Sequence, residues 1–153
     1  MLGMLVINPR YLTHIDTTRA PMKNILYTYL ATLACLGVLD LAYLGTFGIK
    51  LFKQQLGPGV LRERPVAAAA VLFYLMYSAG VVYFVVLPHS TLGVAGVGIE
   101  GALLGLLAYG TYDLTNMATL NKWTWLLVVL DMIWGGLVTG VAAAVGAYVA
   151  GLA

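Results

Sequence analysis

Charge is what this sequence has least of. Only 9% of its 153 residues are Asp, Glu, Lys or Arg, against 61% that are hydrophobic, where a water-soluble domain carries about 25% charged residues. That shortfall excludes a soluble globular protein. The formal net charge of +2 is too small to point to nucleic acid, and the basic residues sit between apolar runs. Cysteine occurs once, at Cys35. An intramolecular disulfide is thereby excluded, and a thiol inside an apolar run reads as buried and inert. Histidine occurs twice, at His14 and His89, with no second histidine or cysteine at ligand spacing. No zinc or haem site is expected from this chain alone, and the sequence leaves the cofactor unknown.

Apolar length is what it has in abundance. Four runs, roughly 25–49, 66–87, 91–116 and 125–149, each reach the ~20 residues that a bilayer crossing needs. The expected fold is all-α, an integral membrane bundle of four transmembrane helices over residues 23–153. Residues 1–22 are set apart as an N-terminal tail, interrupted by Asn8-Pro9-Arg10 and by the polar stretch His14 to Arg19. The tail lacks the order of a cleavable signal peptide. It reads as poorly ordered or lying on the surface, and Met22, which leads straight into the first run, reads as a natural start.

The links between runs are equally plain. Lys50, Lys53, Arg62, Glu63 and Arg64 surround a Gly57-Pro58-Gly59 turn. A very short link near His89 follows, and then Asn121, Lys122, Trp123 and Trp125, residue types that anchor at a membrane interface. Five Lys or Arg (Lys50, Lys53, Arg62, Arg64, Lys122) lie on one side and three (Arg10, Arg19, Lys23) on the other. That excess favours loops 50–65 and 117–124 in the cytoplasm with both termini outside. Gly101 and Gly105, with Ala108 a turn on, form a small-residue ridge, and Gly135 opens the Gly- and Ala-rich half of the fourth run. Such faces let helices approach closely and are suited to a homodimer.

Against this background four acids stand out: Asp40, Glu100, Asp113 and Asp131. A charge at the bilayer centre costs about 2.5–3.5 kcal/mol on insertion scales, so these groups should face the bundle interior and be partnered. Thirteen residues at ~100° each place Asp113 nearly opposite Glu100, on the side of Tyr109, Tyr112 and Asn116. Asp40-Leu-Ala-Tyr43 and Asp131-Met-Ile-Trp134 each put an aromatic ring one turn after an acid, where each ring is expected to cover its own carboxyl. The candidate site for a ligand or proton is therefore Asp40, Asp113 and Asp131 with Tyr43, Tyr109, Tyr112, Asn116 and Trp134. The same groups also suit a hydrogen-bonded network that fixes helix packing.

The residues Asp40-x-x-Tyr43, Phe73-Tyr74-x-x-Tyr77-x-x-Gly80, Tyr109-Gly-Thr-Tyr-Asp-Leu-Thr-Asn116 and Asp131-x-x-Trp134-Gly135 together resemble the domain of unknown function 2177 family of small bacterial membrane proteins. The resemblance runs from about Met22 to Ala150 and rests most on the Tyr109–Asn116 block. It implies a four-helix protein of the bacterial inner membrane and brings no reaction, ligand or catalytic residue with it. Three function classes stay open. The first is binding or transport of a small molecule or proton-coupled solute at the acids. The second is an accessory or structural subunit of a larger membrane complex, and the third is a lipid-modifying membrane enzyme. No catalytic residue is assigned, since no metal triad, Ser-His-Asp set or phosphate loop is present.

Overall fold

The computed structural model describes residues 22–152, and residues 1–21 of the N-terminal tail lie outside the described residues, Met22 being the first residue of the first helix. Helix α1, Met22–Tyr43, passes through a π turn at Leu44–Gly48 into α2, Ile49–Leu56. Together they make one unbroken span, Asn24–Leu56. The helix thus runs a full two turns beyond the expected end near Ile49. Nothing in the sequence breaks it before Gly57, whose φ of 76° few other residues adopt. Lys50 and Lys53, counted above with the link, stand on α2, where their long stems carry the charge toward water. The stripe Thr28, Thr32, Leu36, Asp40 recurs every four residues, and Leu51 and Leu56 continue it on α2.

Helix α3, Ala67–Val81, ends in a second π turn, Val82–Val86. A 3₁₀ turn at Ser90–Leu92 then leads into α4, Gly93–Thr119, and α5 follows as Trp125–Leu152. Four segments, 24–56, 67–86, 90–119 and 125–151, are long and apolar enough to cross a membrane. Side chains such as Val38, Leu107 and Ile133 point outward with half or more of their surface exposed, which acyl chains accommodate and water would not.

Helix α5 is the most enclosed of the four spans. It packs along α4 and α1 and touches the π turn of α3 and the end of α2. Close approach to α4 depends on absent side chains: a methyl group at Gly105 would collide with the Gly135 carbonyl, and one at Gly101 with Ala143. Gly135 in turn accommodates the ring of Tyr109. Ala108, grouped with the glycine ridge above, instead lines a cavity between α3 and α4. In lipid such contacts are held by dispersion and hydrogen bonding, since the surrounding solvent is itself apolar.

Three clusters fill the interior. Val81, Val85, Val86, Val97 and Ala143 close one end. Leu51, Leu56, Trp123, Leu127 and Val128 close the other. Between them lie Leu36, Val138 and Ala142, ringed by Tyr74, Tyr77, Tyr109 and Trp134.

Candidate functional site

Three carboxyl groups from three spans are buried between those end clusters. Asp113 is fully buried, and Asp40 and Asp131 retain 7% and 8% of their surface. Asp113 stands six residues before the end of α4 and Asp131 six after the start of α5, about 9 Å along each axis at 1.5 Å per residue. The two therefore meet near one end of the bundle, the end that carries Lys50, Lys53, Lys122 and the 57–66 loop.

Each acid has a different set of partners. Asp40 is fully engaged. Its Oδ2 accepts a hydrogen bond from the Tyr74 hydroxyl at 2.7 Å, and its Oδ1 accepts one from Trp134 Nε1 at 2.8 Å. Asp113 Oδ1 accepts from Trp123 Nε1 at 3.1 Å, while its Oδ2 has no donor among the described residues. Asp131 neighbours Asp113 and has no N–H or O–H partner of its own among the described residues. No Lys, Arg or His neutralises any of the three there. Two carboxylates side by side in a low-dielectric interior repel, and adjacent like charges are not both held there without a counter-charge.

The aromatic rings are arranged differently from the local pattern. Trp134, one turn after Asp131, reaches across to Asp40 on the other helix. Tyr43, one turn after Asp40, lies flat on Trp134 with ring centroids 4.3 Å apart and planes 13° apart. Trp134 thus crosses from α5 to the acid of α1, while Tyr43 stacks on it and bonds neither acid. A ring one turn along its own helix points away along that helix, whereas the facing helix brings the indole N–H straight onto the carboxylate. The Tyr43 hydroxyl is buried without a partner among the described residues and lies within electrostatic reach of all three acids.

The conspicuous block of α4 divides. Asp113 points inward and Tyr109 is half-buried, edge-on to Tyr77 at 6.4 Å. Tyr112 is 53% exposed and meets the edge of Trp123 at 5.7 Å. Asn116 is half-buried a turn further on, within reach of the Tyr112 hydroxyl. Glu100 lies apart from the acids, half-buried beside Val97 and Gly101. Cys35 is a free, half-buried thiol against the central cluster.

Sequence reasoning missed three participants. Trp123, read as an interfacial anchor, is 8% exposed and donates to Asp113. A tryptophan in a link between spans looks the same whether it lies in the headgroups or folds back beneath the end of the bundle. Tyr74 and Tyr77 share a helical side with Phe84, a signal of a common task. That Tyr74 serves Asp40 and Tyr77 bonds Thr139 at 2.9 Å depends on how the spans dock.

A cavity of about 360 Å³ opens from this site between α3 and α4, lined by Phe73, Tyr77, Ala108, Tyr109, Tyr112 and Asp131. Among the described residues no group of three or more His, Cys, Asp or Glu is placed to hold a metal ion. What the arrangement offers instead is a carboxyl pair with one spare acceptor oxygen, beside aromatic faces.

Fold and site together define a four-span integral membrane protein with an acidic core. The family model described as "Predicted membrane protein (DUF2177)" matches residues 25–148, and the chain belongs to that family. Neither the curated proteins nor the solved structures contain a match to this chain.

Proposed function

We propose that this protein binds a small solute at the Asp113–Asp131 pair and gives up a proton when it does so. One observation carries the reading. Asp131 is more than nine-tenths buried, meets no donor among the described residues, and lines a cavity. A carboxyl retained only for packing is bonded on both oxygens, as Asp40 is, because an unsatisfied buried acceptor costs about 1–3 kcal/mol. A cation in the cavity supplies what Asp131 lacks, both a donor and a counter-charge. The proton held between the two carboxyls is then free to leave, which couples uptake to proton release. The titratable groups facing the pair are Asp40, Tyr43, Tyr109 and Tyr112. Following the excess of Lys and Arg, we place the Asp113–Asp131 end on the cytoplasmic side of a bacterial inner membrane.

The test is purification from native membranes followed by mass spectrometry of whatever remains bound. The expected result is a small molecule on the parent protein that is missing from Asp131→Asn. A parent protein carrying no small molecule, or the same one at the same occupancy in Asp131→Asn, overturns the proposal.

A second reading draws on the opposite face. A shallow outward groove between α4 and α5, about 500 Å³, is floored by Gly98, Ala102, Gly136 and Gly140 and flanked by Ile99 and Leu137, both more than half exposed. Such a face suits another transmembrane helix, as in a homodimer or a subunit of a larger assembly. A mass above that of one chain after extraction in mild detergent supports it, and a monomer under the same conditions removes it.

A further inference from the structure

The acid pair is packed over on the side of α2 and open on the side of α3 and α4. Toward the nearer end of the bundle Leu51, Leu56, Trp123, Leu127 and Val128 form a packed plug, and Asp113 beneath it has no exposed surface. Sideways the situation is reversed. Helix α4 packs on the Val82–Val86 turn at one end of α3 but makes no comparable contact with the body of α3. The two helices part toward the acidic end, with the Tyr77 and Tyr109 rings between them.

The gap holds two adjoining cavities that share the rings of Phe73 and Tyr77. The 360 Å³ cavity reaches Asp131. The other, about 400 Å³, is walled by apolar groups including Met76, Phe84 and Leu104. Met76 and Phe84 are 65% and 64% exposed, so the apolar cavity faces the acyl chains.

From this geometry, and resting on the binding reading above, we infer that the ligand is a lipophilic amine that enters from the bilayer between α3 and α4. Its hydrocarbon part lies along Met76, Phe84 and Leu104, and its ammonium group meets Asp131 among the faces of Tyr77, Tyr109 and Tyr112. Each half of the cleft selects one half of the ligand. Aromatic faces attract an ammonium, more strongly as it is desolvated, and a buried carboxyl pair with no protein cation beside it among the described residues is the complementary charge. The combined volume falls in the usual range for small-molecule sites, about 300–1,000 Å³. A hydrophilic cation gains nothing from the apolar half of the cleft, where Met76, Phe84 and Leu104 offer no polar group.

The probes are n-octylammonium, methylammonium and n-octanol, titrated against the protein in nanodiscs of zwitterionic lipid. Tryptophan emission reports binding, since Trp123 and Trp134 are bonded to the acids, and pH change in weak buffer reports the released proton. Octylammonium is expected to bind saturably and at least tenfold more tightly than either other probe. That binding should weaken at least tenfold in Asp131→Asn and in Ala108→Phe, which fills the cleft. In the unaltered protein, a diazirine-bearing alkylamine is expected to label the 73–84 and 104–112 segments.

Octanol binding as tightly as octylammonium overturns the charge assignment. Methylammonium binding as tightly, with Ala108→Phe inert, overturns the lateral route while leaving solute binding at Asp131 intact. Octylammonium binding that ignores Asp131→Asn, or photolabelling confined to other segments, overturns the inference outright. A hydrophilic solute recovered from native membranes would do so as well, yet would uphold the proposed function.

Discussion

The two ends of this bundle are built on opposite rules. At the end formed by Val81, Val86, Val97 and Ala143, small side chains let backbones nearly touch, and the interior is filled by those side chains and the buried hydroxyls of Thr28 and Thr32. At the other end large aromatic rings and carboxyls hold the helices apart, and a cavity remains between α3 and α4. Helix α4 takes part in both. Its Gly101 and Gly105 lie against α5, and two turns later Asp113 turns toward α5 while Tyr112 opens outward. The contrast teaches that rigidity and vacancy have been placed in series along the same helices. The tight end fixes the geometry that lets the loose end keep an unsatisfied acid.

The largest effect should come from breaking the tight end. Gly105→Leu drives a branched side chain into the Gly135 backbone, where neither helix can yield without parting. The expected loss is about 3 kcal/mol, at the upper end for overpacking, seen as loss of monodisperse protein or a large fall in Tm in detergent. Gly37→Ala is the control, since a methyl group there meets nothing within 4 Å. If both substitutions behave alike, the close approach of α4 and α5 does not govern stability.

Next come the satisfied polar bonds at the loose end. Trp134→Phe keeps an aromatic ring against Tyr43 but leaves Asp40 Oδ1 without a donor. The expected loss is about 2–3 kcal/mol, the scale for a hydrogen bond to a charged group. Trp123→Phe removes a longer bond, 3.1 Å against 2.8 Å, from an acid that keeps its contact with Asp131, and about 1–2 kcal/mol is expected. Thermal unfolding in the same detergent ranks the two. The reverse ranking would mean that Asp113, and not Asp40, is the structural acid.

How much of this was legible beforehand follows the same division. The four spans and their apolar outer faces follow from run length, because a bilayer allows few alternatives. Gly101, Gly105 and Gly135 were also readable, since a missing side chain between helices has few other uses. The inward placement of Asp40, Asp113 and Asp131 followed from the cost of a charge in hydrocarbon. What could not be read was pairing. That Trp134 serves Asp40, that Trp123 folds inward, and that Tyr74 completes the set all depend on which spans are neighbours and at what depth. Those are properties of docking, and no spacing along one helix encodes them. The π turns after Tyr43 and Val81 were invisible for a related reason: an added residue in a helix leaves the apolar run unchanged.

The smallest stability effect is the one that separates the two ends most sharply. In a packing network each member is bonded, so converting an acid to its amide disrupts the set. Asp131 is the exception, as its only side-chain partner among the described residues is another acid. Asp131→Asn places an amide N–H₂ beside the orphaned Asp113 Oδ2 and removes the need for a shared proton. The expected change in stability is therefore within about 1 kcal/mol, and in the stabilising direction where the new bond forms well. Asp40→Asn, by contrast, weakens two charge-assisted bonds at once and should cost about 2 kcal/mol or more. Comparing their unfolding temperatures decides what Asp131 is for. A loss in Asp131→Asn equal to that in Asp40→Asn would make it one more structural bond. A stable Asp131→Asn protein that no longer retains its ligand makes it the group for which the rest of the bundle holds a place open.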